Sequence, residues 1–180
     1  MASDFPAMRA LTAAGLTLEP QVAAHADAMF GVLSDPAIYE FENAPPRSLE
    51  WLRERFTRLE TRVSGDGAQL WLNWVIRITS GELIGYVQAT VHRDKSAGIA
   101  YELASAHWGR GLARTAVTTM TDELVTRYGV RRLNAVAVRS NQRSLRLLER
   151  LGFAVATPEQ HAVHAVDPAE VLLTRTVAPT

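Results

Sequence analysis

Two glycines one residue apart mark a stretch of this chain that could bind phosphate. Gly109 and Gly111 stand in residues 107–113, between a segment typical of a strand and a segment typical of a helix. A helix N-terminus presents unpaired backbone N–H groups and a partial positive charge, and both attract an anion that can approach the main chain. Glycine permits that approach because it has no Cβ. We therefore expect a phosphate-bearing ligand here, although a tight turn alone also explains two glycines.

Asn141 and Ser144 stand at the start of a second helix-like segment, directly after another strand-like segment. Asn141 suits the N-cap position of this helix, because its side-chain oxygen can accept a hydrogen bond from a backbone N–H. Its amide and the Ser144 hydroxyl can also bond a ligand. Two strand-to-helix turns of this kind can together hold one long ligand.

The sequence around the glycines does not fit two common phosphate-binding motifs. A P-loop requires Lys and then Ser or Thr after its last glycine, whereas Leu112 and Ala113 follow Gly111. A dinucleotide fingerprint requires a third small residue where Arg114 stands, and an acidic residue about 20 positions later, where this chain has arginine. Neither motif is therefore present.

The patterning of the whole chain predicts an α+β fold in one domain, residues 1–180. Segments rich in Val, Ile, Trp and Tyr predict strands, and apolar residues at spacings of three and four predict helices. The predicted strands are 16–19, 69–78, 83–92, 98–104, 132–138 and 171–177, and the predicted helices are 21–33, 49–63, 112–128 and 141–150. We expect a mixed, mostly antiparallel central sheet flanked by helices on both faces, with residues 154–168 unassigned.

Composition limits the function classes. Of the 180 residues 47% are hydrophobic, enough for a substantial core, and the absence of cysteine excludes thiolate nucleophiles and thiolate zinc sites. Nineteen basic residues balance nineteen acidic ones, so the positive field of a nucleic-acid-binding protein is missing. Residues 1–20 do not have the pattern expected of a signal peptide, and no segment approaches the roughly 18 apolar residues that a membrane span needs. We predict a cytoplasmic protein without nucleic-acid or membrane partners.

Motifs of two other enzyme classes are also missing from the sequence. The five histidines form no His-Glu-x-x-His arrangement, so we predict no metal cofactor. No Gly-x-Ser-x-Gly elbow is present either, so a hydrolase triad has no nucleophile.

The glycine turn and the segment that begins at Asn141 both resemble motifs of one protein family. The run Trp-Gly-Arg-Gly-Leu-Ala at residues 108–113 resembles the pyrophosphate loop of the GNAT superfamily of acyl-CoA-dependent N-acyltransferases, whose pattern is Gln/Arg-x-x-Gly-x-Gly/Ala. Trp108 occupies the first position of this pattern, where Gln or Arg is common. A tryptophan there resembles the loop of one branch of the superfamily, the ribosomal-protein N-terminal acetyltransferases. Asn141-x-x-Ser144, followed by Gly152-Phe153, is similar to the same branch. The resemblance spans roughly residues 16–155.

This resemblance implies acetyl-CoA as co-substrate. The backbone amides of Arg110, Gly111, Ala113 and Arg114 would hold its pyrophosphate, and Asn141 would bond its pantetheine arm. The implied cofactor-binding set is Leu103, Trp108, Gly109, Arg110, Gly111, Leu112, Ala113, Arg114, Asn141 and Ser144.

Acetyl transfer to an amine also needs a base and an acid. A protonated amine cannot attack a thioester, and Glu102, on the strand before the glycine turn, could take its proton directly or through water. Glu42 and Glu40 are weaker candidates and are assigned only as substrate contacts. Many relatives carry a tyrosine as general acid where this chain has Leu148, so the acid role falls to Ser144, by resemblance, with bound water.

Three aromatic residues stay undecided at this stage. Trp71 and Trp74 differ by three positions, so they point to opposite faces of a strand and only one can line an acceptor site. Tyr101 fits the core better than the wall of a substrate site.

The resulting hypothesis is an acetyl-CoA-dependent N-acetyltransferase that uses direct attack in a ternary complex. The acceptor is a primary amine, either a protein N-terminus or a small molecule. Two alternatives remain, a CoA-binding sensor domain without catalysis and a structural module that uses its sheet edge. The resemblance also allows a homodimer.

Overall fold

An eight-stranded sheet organises the computed structural model, which describes residues 6–41 and 43–178. The strands are β1 Leu11–Ala13, β2 Leu16–Pro20, β3 Gln69–Ile78, β4 Leu83–His92, β5 Ser96–Leu103, β6 Arg132–Val138, β7 Ala154–Val155 and β8 Glu170–Thr176. Their spatial order is β1-β2-β3-β4-β5-β6-β8-β7, and only β5 and β6 run parallel. The predicted mixed, mostly antiparallel sheet is confirmed.

Helices cover both faces of this sheet. They are α1 Ala26–Leu33, α2 Leu49–Leu59, α3 Leu112–Tyr128, α4 Gln142–Arg150 and α5 Pro158–Val163. Helices α1 and α2 bury one face together with Val75, whereas α3 and α4 bury the other face together with Trp74. Successive strand residues point to opposite faces, so these two neighbours in β3 belong to separate cores. Within the described ranges, no helix is long and apolar enough to cross a membrane.

The sheet opens between its two parallel strands. Only Ser96–Gly98 of β5 pairs with Arg132–Asn134 of β6. Beyond these pairs β5 continues to Leu103 and β6 to Val138 without pairing to each other. The glycine turn follows the end of β5, and the start of α4 follows the end of β6. The two turns predicted to hold one ligand therefore flank the same opening.

Three elements were missing from the sequence prediction, and two helix boundaries differ from it. The unpredicted elements are β1, β7 and α5, all of them six residues or shorter. Helix α1 begins at Ala26, because residues 23–25 form a 3₁₀ turn in which His25 Nδ1 accepts from the backbone N–H of Val22. Helix α2 starts at the predicted N-cap, Ser48, but ends at Leu59. Val63, predicted to lie in α2, instead bridges to Leu70.

Candidate active site

The glycine turn leaves the N-terminus of α3 open. Gly109 and Gly111 adopt φ angles of 74° and 76°, a region that L-residues enter only with strain. Gly111 is the N-cap residue of α3, and no side chain in the described part of the chain bonds the first N–H groups of this helix. The turn is therefore a helix N-terminus without a side-chain cap, as an anion site requires.

Trp108 joins this turn to the end of β5 and to α4. Its indole Nε1 donates to the backbone oxygen of Leu103 at 2.8 Å. On its face, the Arg143 guanidinium carbon lies 3.4 Å from the ring centroid. Arg110 bonds His107 Nδ1 at 3.1 Å. Arg143 is a site residue that the sequence analysis missed, although its position two residues after Asn141 placed it at the same helix start.

Asn141 caps α4, as predicted. Its Oδ1 accepts from the backbone N–H of Ser144 at 3.1 Å. This bond uses the side-chain oxygen, so the amide Nδ2 is the group that remains to donate to a ligand.

A cleft of about 430 Å³ lies at the opening of the sheet. The predicted site residues that line it are Glu102, Leu103, Trp108, Ala113, Asn141 and Ser144. The other predicted residues lie beside the cleft on the glycine turn and the first turn of α3, and they are Gly109, Arg110, Gly111, Leu112 and Arg114. The structure therefore brings the two candidate chemical groups, Glu102 and Ser144, to one cleft, with the helix N-terminus at its side.

Glu102 lies opposite one tyrosine of the neighbouring strand and close to another. Tyr86 of β4 is its partner in the antiparallel register. Burial holds the pKa of the Tyr86 hydroxyl well above its usual range, and the Glu102 charge and a hydrogen bond to Glu102 act in the same direction. Burial also raises the pKa of Tyr39, with contributions from the charges of Glu102 and Asp35. Both phenols stay protonated at neutral pH; Tyr86 donates to the Glu102 carboxylate, whereas Tyr39 donates to the backbone oxygen of Leu33 at 2.8 Å.

Tyr101 contributes a hydroxyl on the α4 side of the cleft. Its OH lies 2.9 Å from Ser144 Oγ, and either atom can donate. Tyr101 also packs against the larger core, so the sequence-based preference for a core position describes only part of its role. Leu148, where many relatives have a tyrosine, is only 1% exposed and belongs to the core. The phenol near Ser144 thus comes from β5.

The remaining candidate residues from the sequence lie in different environments. Trp74 is fully buried in the α3 core and donates from Nε1 to the backbone oxygen of Arg9, whereas Trp71 lines a second cavity of about 180 Å³ on the α2 face. Glu40 is exposed and does not line the cleft, and Glu42 lies outside the described residues. In residues 6–41 and 43–178 no three His, Asp or Glu residues cluster as metal ligands would.

The sequence analysis did not select several polar residues that line the cleft. They are Tyr39, Tyr86, Gln21, Asn73, Gln88 and Arg55. Tyr86 could have been found by pairing the predicted strands 83–92 and 98–104, once the register of their turn was known. The three amides come from separate segments, and only the folded sheet brings them together.

A mixed sheet that opens between two parallel strands, with a glycine turn and a second helix start at the opening, defines the GNAT fold. Residues 15–154 match the family described as acetyltransferase (GNAT) domain. The chain belongs to this family and is an N-acetyltransferase.

A protein of similar sequence is named an N-acetyltransferase, and solved structures of acetyltransferases have a similar fold. An uncharacterized N-acetyltransferase of Bacillus subtilis, YoaA, is 27% identical over 134 residues, which cover 71% of this chain and 73% of that protein. RimL, a ribosomal L7/L12 alpha-N-protein acetyltransferase solved in complex with coenzyme A, has a TM-score of 0.80 at 17% identity and covers 96% of this chain and 100% of its own. Mycobacterium smegmatis RimJ, solved with CoA-disulfide, has a TM-score of 0.73 at 22% identity, covering 93% and 85%.

Proposed function

We propose that this protein transfers the acetyl group of acetyl-CoA to a primary amine by direct attack in a ternary complex. The observation that carries the proposal is the single cleft that Glu102 and Ser144 both line, beside the uncapped N-terminus of α3. The same cleft can thus receive a phosphate-bearing thioester and an amine. The structural neighbours RimL and RimJ, whose structures hold CoA or CoA-disulfide, support acetyl-CoA as the donor.

In this proposal the two helix starts hold the cofactor. The N–H groups at the start of α3 bind the pyrophosphate, because the glycines let it approach the main chain. Arg143, stacked on Trp108, adds positive charge beside them. Asn141 Nδ2 donates to the pantetheine arm and directs the thioester toward Ser144.

Glu102 acts as the base. It accepts a proton from the ammonium form of the acceptor, directly or through a water molecule, and the free amine then attacks the thioester carbonyl carbon. The Tyr86 hydroxyl donates to the carboxylate and keeps it oriented. An α-amine, with a pKa of about 8, needs less help from this base than a lysine amine, with a pKa of about 10.4.

Ser144 and Tyr101 together return a proton to the leaving sulfur. When the carbon–sulfur bond breaks, the CoA thiolate takes a proton from Ser144 Oγ, which takes one from the Tyr101 hydroxyl. A phenol, with an ordinary pKa of about 10, is a far better proton source for the CoA thiolate than an aliphatic alcohol. The Tyr101 phenolate regains its proton from solvent after product release.

A CoA-binding sensor without catalysis is the second candidate, and one observation favours it. Leu148 replaces the acid that many relatives carry, and it is buried in the core. Titration calorimetry with acetyl-CoA, combined with an acceptor screen that follows release of free thiol, separates the candidates. Binding with turnover supports the enzyme, binding without turnover supports the sensor, and no binding contradicts both.

A pair of glycine variants tests where the cofactor binds. Gly111→Ala and Gly15→Ala both force a methyl group onto a residue with positive φ, 76° and 81°, and neither methyl meets another atom within 4 Å. Both should lose similar stability, about 1 kcal/mol. Only Gly111→Ala should weaken acetyl-CoA binding, because Gly15 lies in the β1–β2 hairpin and does not line the cleft. Equal affinities in the two variants would contradict this placement.

A further inference from the structure

Three amide side chains meet on the α2 face of the sheet, in the floor of the cleft. They are Gln21, Asn73 and Gln88, from the residue after β2, from β3 and from β4. The backbone N–H of Gln21 donates to the backbone oxygen of Asn73 at 2.9 Å, and Asn73 pairs with Gln88 in the register. Adjacent strands lie about 4.8 Å apart, so these side chains are immediate neighbours.

Gln21 carries the observation that points to a ligand. The residue is 3% exposed and lines the cleft, and its Nε2 has no hydrogen-bond partner in the described part of the chain. Asn73 beside it is 4% exposed. A buried donor without a partner costs free energy, and such groups in native proteins are nearly always satisfied. An acceptor oxygen of a bound molecule would satisfy this one.

The amides lie a defined distance from the base. Gln88 follows Tyr86 by two residues on β4, so the two side chains share a face, and Tyr86 is the register partner of Glu102. Two residues of strand advance about 7 Å. An extended acceptor whose amine lies at Glu102 therefore reaches the amides with a group about two residues further along.

Arg55 gives this end of the cleft a positive charge. It lines both the cleft and the second cavity of about 180 Å³, and these two spaces also share Asn73 and Gln88. Its guanidinium carbon lies 5.7 Å from the Trp51 ring centroid. No ion pair among the described residues includes Arg55, whereas Arg53 on the same helix pairs with Asp27.

We propose that Gln21, Asn73, Gln88 and Arg55 form an acceptor subsite that binds a carboxylate carried by the amine substrate. This rests on the proposed acetyl transfer and adds the substrate class to it. Glu102 holds the ammonium end, and the subsite holds the anionic end about 7 Å away. The carboxylate belongs either to an acidic side chain near a peptide N-terminus or to the free C-terminus of a very short peptide, and both present the same chemistry.

An acceptor panel tests the charge preference. The amidated peptide Ala-Glu-Ala-Ala should have a kcat/KM about tenfold above that of Ala-Gln-Ala-Ala, because hydrogen bonds to charged groups are the stronger ones. The dipeptide Ala-Ala, compared with its amide, reports the free C-terminus. Arg55→Gln should reduce each ratio to about twofold or less, and Arg58→Gln, which is exposed on the same helix outside the cleft, should leave the ratios unchanged.

Gln21→Met separates ligand binding from a structural role. Met has a similar shape and removes a donor that bonds nothing in the described protein, so Tm should not fall. The KM for the acidic peptide should rise severalfold, while the KM for acetyl-CoA stays the same. A lower Tm with an unchanged peptide KM would remove Gln21 from the subsite.

Binding of the acetylated product keeps the subsite testable without turnover. N-acetylated Ala-Glu-Ala-Ala amide, titrated by calorimetry into the wild-type protein and Arg55→Gln, should bind the wild type about tenfold more tightly. This result with no turnover would uphold the subsite and contradict the proposed catalysis. Equal binding of acidic and neutral products, or turnover only of amines without a carboxylate, would overturn the subsite.

Discussion

Glu102 is a candidate base because of its surroundings as much as its carboxylate. It lies on the face of β5 that looks toward α2, opposite Tyr86, while the neighbouring Tyr101 reaches Ser144 on the other side. Side chains alternate between the two faces of a strand, so the proton acceptor Glu102 and the proton donor Tyr101 lie on opposite faces of β5. Two consecutive residues divide the proton transfers between them.

Replacement of Glu102 by glutamine keeps the shape and removes the base. We expect kcat/KM to fall by about 100-fold or more, since general bases contribute about 10² to 10⁴, with acetyl-CoA affinity unchanged. The loss should shrink as the pH approaches the pKa of the acceptor amine, because the free amine then forms without help. Glu40→Gln, an exposed carboxylate outside the cleft, is the matched control and should keep wild-type rates. Full activity in Glu102→Gln at all pH values would contradict the assignment.

Tyr101→Phe and Ser144→Ala each break the same proton path. Each should lower kcat by about 10- to 100-fold, and the double variant should be little worse than either single one, since residues that act as a unit are not additive. Acetyl-CoA affinity, measured by calorimetry, should change little in Tyr101→Phe. Ser140→Ala removes an exposed hydroxyl near the same helix start and should be neutral. Independent, multiplicative losses would show that the two hydroxyls do not work in series.

At the scale of elements, the close contact between β4 and β5 holds the base in place. Gly85 pairs with Leu103 in the register, next to Glu102. A Cβ at Gly85 would lie 2.1 Å from the backbone oxygen of Glu102 and 2.8 Å from Leu103 Cα. Only glycine permits this approach, and the backbone N–H of Ala104 then bonds the oxygen of Ile84 at 2.9 Å.

Gly85→Ala should therefore damage both stability and activity. Relief of the clash must move main-chain atoms of β5, which costs about 1–3 kcal/mol, and Glu102 moves with them. Tm should fall by several degrees and kcat/KM should drop in the same variant. Gly98→Ala, in β5 itself, meets nothing within 4 Å and should change neither quantity appreciably. Thermal unfolding and steady-state kinetics measure both variants. Equal behaviour of Gly85→Ala and Gly98→Ala would contradict this role of Gly85.

At the scale of the whole molecule, carboxylates with lowered pKa values tie distant segments together. Asp35 Oδ2 accepts from the backbone N–H of Ser105 at 2.7 Å, which joins the segment after α1 to the turn before α3 and lowers the Asp35 pKa. Arg77 donates hydrogen bonds to Glu19, and these bonds lower the pKa of the Glu19 carboxyl. A carboxylate whose pKa is lower in the folded state stabilises the fold above its unfolded pKa, about 4, and loses that contribution as the pH falls through its folded pKa.

The free energy of unfolding should therefore fall as the pH decreases, and Asp35 should account for part of this pH dependence. Burial also lowers the pKa of His25, so its neutral form adds stability that is lost in the same direction, below about pH 6.5. Asp35→Asn keeps an oxygen for Ser105 but removes the titration, so the fall of Tm between about pH 5 and pH 3 should be smaller by about 2 °C. Asp122→Asn, exposed on α3, should leave the slope unchanged. A slope unaltered by Asp35→Asn would contradict the linkage.

The sequence by itself determined much of the local structure, including the two helix starts that flank the opening of the sheet. Caps and glycines act within a few residues, so the starts of α2, α3 and α4 at Ser48, Gly111 and Asn141 were readable from the chain. Periodicity likewise predicted the central strands and the helices on both faces. It failed at Val63, because an apolar stripe continued past the point where the chain leaves α2 to bridge to Leu70.

Only the tertiary structure decided which distant side chains meet. The contact between Tyr101 and Ser144, the position of Tyr86 opposite Glu102 and the cluster of Gln21, Asn73 and Gln88 all depend on strand register and on the divergence of β5 from β6. A shift of one residue in register would turn each of these side chains to the other face. Register is set by long-range pairing and packing, which no local pattern records, so the acceptor side of the cleft could not be derived from the sequence.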